Sequence, residues 1–304
     1  MTVPAEFIAR IPFLADAADL RCTRLAGLTN VNYLVEIGEG STDRYVVRVP
    51  GVGTSEYIDR RAESVAARSA ADADVNAPVV HFDETDGLMV TRYIDGAATM
   101  SGELFRDVDA VARAGVAFRR LHTSARPFAT DFVLFPMIDE YKGLLASKGA
   151  RLPDGYDDAQ RQADTARRAL ESHPVALAPC HCDPLCENFL DTGERMYVID
   201  YEYAGNNDPM WDLGDLSVEG GFGPDQDAAL LRAYFGGHAP EVEVGRMVVH
   251  KAMCDLLWTL WGVIQHVNDN PAEDFWAYAT GRFERCQELM ATAEFGDHVR
   301  TVAR

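Results

Sequence analysis

The hydrophobic residues of this chain change their period once. Up to about residue 95 they come in short runs rich in β-branched and aromatic side chains; from about residue 102 they recur at three- and four-residue intervals over long segments. A sheet-forming part followed by a helix-forming part is an α+β arrangement, and 304 residues suffice for both to bury a core. Hydrophobic residues at 47% and charged residues at 25% fit a globular chain rather than a disordered or fibrous one.

In the first part, Tyr33 to Ile37 and Tyr45 to Val49 read as strands of an antiparallel hairpin, with the turn chemistry of residues 38–43 between them. Thr54 opens a polar, alanine-rich helix to about Ala73 with a Ser/Thr cap, and Pro78 to Phe82 and Leu88 to Ile94 follow as two more strands. In the second part, 103–124, 136–149, 156–172, 226–236, 241–267 and 272–293 carry helical spacing. Only the middle departs, where Val175 to His181, Asn188 to Leu190 and Met196 to Ile199 are strand-like. The spacing predicts a domain over residues 1–94 and a larger one over 95–304, joined near Tyr93 to Ala98.

Charge narrows the function classes. Acidic residues outnumber basic ones by 48 to 28, for a formal net charge of −20, and no basic run could track a nucleic-acid backbone. No apolar stretch is expected to reach the roughly 18 to 20 residues of a membrane span. The first 14 residues carry Glu6 and Arg10 and lack the pattern of an export signal, so a cytoplasmic protein without membrane insertion is expected. Cys22, Cys180, Cys182, Cys186, Cys254 and Cys286 read as reduced thiols, and the spacing around His181 does not suit zinc. Positive charge is nearly all arginine: the lysines are Lys142, Lys148 and Lys251, so a cation required by chemistry in the first 141 residues must be arginine or histidine.

The densest chemical signal is His181-Cys-Asp183-Pro-Leu-Cys-Glu-Asn188, followed twelve residues later by Asp200-Tyr-Glu202 at the end of an apolar strand. The spacing H-x-D-x-x-x-x-N, with an aspartate closing the next hairpin, suits phosphoryl transfer from ATP. That reaction needs a carboxylate to orient and deprotonate the attacking hydroxyl, and hard oxygen ligands for Mg²⁺. Alone, each piece also reads as a turn or a strand-end cap; their joint spacing points to the chemistry.

These segments, with Val198-Ile-Asp-Tyr-Glu-Tyr-Ala204, resemble the signature segments of the choline/ethanolamine kinase family, a branch of the kinase-like phosphotransferases that includes the aminoglycoside kinases. Gly27-Leu-Thr-Asn-Val-Asn-Tyr33, Arg48-Val-Pro-Gly51 with Gly53 and Thr54, Asp212-Leu-Gly-Asp215, and Trp258-Thr-Leu-Trp261 with Gln265 extend the match over about residues 25 to 268. The resemblance implies a two-lobed protein-kinase-like fold, with a small antiparallel-sheet N-lobe and a larger, mainly helical C-lobe, using ATP and Mg²⁺. It implies Asp183 as the catalytic carboxylate and Asn188 and Asp200 as metal ligands. Arg48 is implied at the ATP phosphates in place of a lysine, held by Glu63, with Asn30, Asn32, Arg92, Tyr93 and Ile94 also at the nucleotide. His122 is implied to be structural. Pro184, where leucine is more usual, departs from the pattern.

The acceptor is read from Trp258 and Trp261, three apart on one helix face. Set among Leu256, Leu257, Leu260, Val263 and Ile264, the pair also suits a core stripe. A quaternary ammonium, having no proton to donate, is held by aromatic faces and nearby carboxylates, and the resemblance implies a choline-binding set of Trp258, Trp261, Tyr203, Glu219 and Asp183. The expected reaction is phosphorylation of the choline hydroxyl. Ethanolamine, thiamine or another small amino alcohol is the alternative, and a non-catalytic kinase-like binding protein is a further one. The sequence leaves the oligomeric state open.

Overall fold

The computed structural model describes residues 3–17, 19–25, 30–38, 43–51 and 58–304. Much of the expected hairpin turn, Gly27 to Thr29 of the first glycine-containing loop, and Gly53 and Thr54 of the second lie outside the described residues.

Five strands, β1 (Leu20–Arg24), β2 (Val31–Ile37), β3 (Arg44–Val49), β4 (Val79–Asp83) and β5 (Leu88–Arg92), form an antiparallel sheet in the order β1-β2-β3-β5-β4. Because successive strand residues point to opposite faces, Tyr33, Val35, Tyr45, Val47, Val49, Leu88 and Val90 line one face. They cluster with Val3, Ile11 and Leu14 from the N-terminal segment, whose helices are α1 (Ala5–Ile8) and α2 (Pro12–Ala15). Phe13 packs on Tyr45 at 4.9 Å, and Arg10 bonds Asp86 at 2.7 Å, tying that segment to the β4–β5 turn. Residues 3–16, to which the sequence assigned no role, thus cover half the sheet.

Arg48 and Met89 occupy the opposite face, beside α3 (Arg60–Asp72). The expected Ser/Thr cap near Thr54 is corrected to Asp59, whose carboxylate accepts from the amides of Arg61 and Ala62 at 3.0 Å. An aspartate directly before the alanine-rich run satisfies the first free amides of the helix. Ala66, Ala67 and Ala70 of α3 share a core cluster with Phe82 and Met89 of the sheet and with Phe105, Phe118 and Phe189 of the helical part.

The helical part comprises α4 (Val108–Ser124), α5 (Leu134–Ser147), α6 (Tyr156–Ser172), α7 (Pro209–Glu219), α8 (Pro224–Phe235), α9 (Glu241–Val267), α10 (Phe275–Met290) and α11 (Ala293–Val302). Five short strands lie among them: β6 (Ala98–Thr99), β7 (Ala178–Cys180), β8 (Phe189–Asp191), β9 (Met196–Val198) and β10 (Gly205–Asn207). The expected β8–β9 hairpin is present, with β6 added along β8, and β7 pairs with β10. The helices α7, α10 and α11 were not all foreseen: α7 and α11 carry no separate signal in the helical segments read from the sequence. The central helix α9 also corrects the expectation about apolar length. It is long and apolar enough to cross a bilayer, but 83% of its most apolar window is buried in protein, as a core helix requires.

Two glycines let helices approach α9 closely. A Cβ at Gly214 of α7 would lie 2.9 Å from the Met247 carbonyl oxygen, and one at Gly262 of α9 would lie 2.7 Å from the Tyr278 ring of α10.

Candidate active site

The loop after β7 is built around one buried carboxylate. Asp212 of α7, fully buried, accepts from the backbone amides of His181 at 2.7 Å and Cys182 at 2.9 Å, and lies 2.9 Å from His122 Nε2. The neighbouring Trp211 donates from its indole to the Cys182 carbonyl at 3.2 Å, so both peptide polar groups of Cys182 are held from α7. Cys182 has φ +67°, a left-handed conformation that costs a non-glycine residue about 1–2 kcal/mol. Charge-assisted bonds of roughly 1.5–3 kcal/mol each offset that cost. The His181 ring reaches the Ile199 carbonyl at 2.8 Å, joining the loop to the segment that carries Asp200. His122 bridges Asp212 and the Tyr234 hydroxyl, in keeping with a structural role.

Asp183 follows directly and is partly buried. Burial, then the charges of Glu219, Asp200 and Glu202, push its carboxyl up to about 8, with Arg282 pulling the other way. Asn188 donates from its side-chain amide to the Asp183 carbonyl at 3.1 Å, while its own carbonyl takes the Ile199 amide at 2.9 Å. Asp200 adopts φ +69° and lies 3.1 Å from Arg48.

On the sheet side, Arg48 is ion-paired with the buried Glu63 and donates to the Gly87 carbonyl at 3.2 Å. Glu63 also takes Arg60 at 2.7 Å, and Arg60 lies 3.7 Å from Glu202. Asn30 donates to Glu202 at 3.3 Å and accepts the Gly51 amide at 3.2 Å, while Asn32 sits opposite Arg48 in the β2–β3 register. Carboxylate oxygens of Glu63, Asp200 and Glu202 all lie within 4.8 Å of one another. Burial and then Asp200 push the Glu202 carboxyl up to about 7. Crowded carboxylates in a half-buried site form a hard-oxygen set that suits a divalent cation. The expectation for the Arg92 side chain is corrected. It is opposite Tyr45 in the sheet, pairs with Asp43 at 3.1 Å and lies over the Tyr45 ring, on the face away from Arg48. Tyr93 donates its amide to the Arg44 carbonyl and stacks under the Arg44 guanidinium, with Ile94 half-buried beyond it.

On the helical side, rings run edge-to-face from Tyr203 to Trp258 at 6.4 Å, Trp258 to Trp261 at 6.1 Å and Trp261 to Tyr278 at 5.8 Å. Trp258 is 6% exposed, packed in the core as well as in this row, whereas Trp261 is half-buried. Glu219 is paired with Arg282 at 2.6 Å. One turn before Trp258 on α9, Cys254 donates its thiol to Asp215 at 2.9 Å. Burial, with Glu219 next, raises the Asp215 carboxyl well above the usual carboxylate range.

The chain is similar to known phosphotransferases. The model of the phosphotransferase enzyme family matches residues 21–243. A choline/ethanolamine kinase family protein from Mesorhizobium loti is 54% identical, covering 98% of this chain and 97% of that one, with a TM-score of 0.89. The chain belongs to the choline/ethanolamine kinase branch of the phosphotransferase enzyme family. The choline kinase LicA from Streptococcus pneumoniae is 26% identical over 94% of this chain and 98% of that one, with a TM-score of 0.74. Human ethanolamine kinase 2 is 26% identical over 85% of this chain and 73% of its own. The fold is therefore kinase-like and the chain a choline kinase-like phosphotransferase.

Several members of this kinase's site went unassigned in the sequence. Glu202 and Asp212 stand in motifs that were read, but nothing in the spacing gave them partners. Arg60, Tyr278 and Arg282 carried no signal beyond helical periodicity.

Two predictions follow from the loop. Asp212→Asn keeps one acceptor oxygen where two are used, so the melting temperature should fall by about 5 °C or more. Because Asp183 is then displaced, kcat should drop at least about tenfold; an unchanged kcat with a lowered melting temperature would limit Asp212 to a folding role. For Asp183, the folded protein keeps a proton that the unfolded chain releases near 3.8, so the group takes stability away as pH rises from about 4 to about 8. The melting temperature of Asp183→Asn should gain on wild type over that window, by on the order of 2–4 °C. A constant gap from pH 5 to pH 8.5 would contradict the assignment.

Proposed function

We propose that this kinase transfers the γ-phosphoryl group of ATP to the hydroxyl of choline, giving phosphocholine and ADP. The observation that carries the reading is the row of rings Tyr203, Trp258, Trp261 and Tyr278 beside a carboxylate, Glu219, already engaged by Arg282. A trimethylammonium offers no N–H and gains from aromatic faces. A primary ammonium donates three hydrogen bonds and needs carboxylate oxygens that Arg282 here competes for. This favours choline over ethanolamine.

Asp183 accepts the proton of the acceptor hydroxyl as its oxygen attacks phosphorus and the bond to ADP breaks. With its proton affinity raised to about 8, Asp183 is the stronger base once ionised, so the proton acceptor forms as pH rises toward 8. In this reading Arg48 exchanges its Asp200 contact for phosphate oxygens, while Glu63 fixes the direction of its planar fork. Asp200, Asn188 and Glu202 fit Mg²⁺ as oxygen donors, and bound there it would neutralise phosphate charge. Asn30 and Asn32 stand beside the same cleft, at the edge of the nucleotide loop.

The deciding assay measures ATP consumption by purified protein with choline, ethanolamine, thiamine and an aminoglycoside. Choline should give the highest kcat/KM, and a clear preference for ethanolamine would replace the acceptor assigned here.

A cation over a desolvated indole is worth on the order of 0.5 to 2 kcal/mol. Trp261→Ala should therefore raise the KM for choline about 2- to 30-fold while the KM for ATP stays level. Trp258→Phe, which keeps most of the buried area, should cost less. Wild type should also prefer choline to its uncharged isostere 3,3-dimethyl-1-butanol, and equal use of the two would show that the rings serve only as core.

A further inference from the structure

Arg282 joins three helices around the acceptor side at once. It sits on α10, is 7% exposed, and pairs with Glu219 of α7 at 2.6 Å. Its other arm reaches Asp255 of α9 at 3.4 Å, and its guanidinium lies over the Tyr278 ring, one turn earlier on α10, at 5.0 Å from the centroid. Asp255 is also bound by Arg285 at 2.7 Å. Arg282 therefore does not stand alone as the counter-ion of Asp255, whereas Glu219 pairs with no other cation among the described residues.

We propose that Arg282 is a positioning residue for the acceptor: it sets the place of the Glu219 carboxylate and of the Tyr278 ring, the two groups on α7 and α10 that flank the tryptophan pair. This rests on the choline reading given above.

The physical argument is one of geometry. A planar guanidinium can pair edge-on with a carboxylate and stack on an aromatic ring at the same time, which fixes two surfaces relative to each other. Tyr278 in turn meets Trp261 at 5.8 Å, and Gly262 on α9 leaves the space into which the Tyr278 ring fits. A shift of Arg282 would thus move both the charge and one ring of the row. It would leave Arg48 and its contacts in place, because the residues that Arg282 touches lie in α7, α9 and α10, while Asp183 feels only its charge.

The test is steady-state kinetics of Arg282→Ala and Arg282→Lys, with melting temperatures measured alongside. Arg282→Ala should raise the KM for choline at least tenfold and leave the KM for ATP within about twofold. Arg282→Lys restores the charge without the fork or the stacking plane, so it should recover only part of the acceptor affinity. If Arg282→Ala does not fold, Arg282→Lys decides alone: a wild-type KM for choline in it overturns the proposal. A lowered melting temperature with both KM values unchanged also overturns it, since that is what a purely structural arginine would give. Quenching of tryptophan fluorescence by tetramethylammonium separates the two readings. If wild type neither turns over choline nor shows a saturable response to this probe, the choline reading fails and the proposal falls with it. If wild type responds and the variants respond equally, only the Arg282 proposal fails.

Discussion

The direction of Asp183 depends on a carboxylate buried in the core. Asp212 holds two consecutive backbone amides, and Trp211 beside it holds the carbonyl that follows them, so the peptide joining Cys182 to Asp183 is locked from a buried helix. Without that grip a non-glycine residue would leave the left-handed region at Cys182, and the loop would lose the turn that aims the next side chain. The same carboxylate meets His122 of α4, so the loop is tied to two helices of the core rather than to its own neighbours.

The second constraint is how charge is stored. Arg48 reaches Glu63, Asp200 and the Gly87 carbonyl together, which a lysine with one point charge could not do. Glu63 is shared between Arg48 and Arg60, so the buried acid is fully compensated while Asp200 and Glu202 remain crowded. Removing one member of such a set leaves an uncompensated buried charge, typically a cost of about 3–5 kcal/mol. The sheet and α3 are therefore joined at this point by electrostatics as well as by the shared alanine-lined core.

Periodicity made the outline legible. The strands at 31–37 and 44–49, the helices at 156–172 and 241–267, and the hairpin after Asn188 are where the spacing of apolar residues puts them. α7 was not legible, because it is buried on almost every side and carries Asp212 and Asp215 inside, which erases the two-faced pattern that marks a surface helix. β1, whose side chains are mostly exposed at the sheet edge, offers little alternation to read. At the site, Asp183, Asn188, Asp200, Arg48 and Glu63 come together from motif spacing and resemblance. Arg92 does not, because residue parity in β5 sends its side chain to the other face. Arg282 and Tyr278 were invisible because their meaning lies in contacts between helices far apart in sequence.

Gly262 gives the acceptor side an adjustable dimension. It does not itself supply a ring or a charge, yet the absence of a side chain there fixes how near α10 comes to α9, and so how far Tyr278 stands from Trp261. The spacing of the two rings is thus set from behind them. One methyl group at that position would push Tyr278 away from Trp261 while leaving every ring of the row unsubstituted.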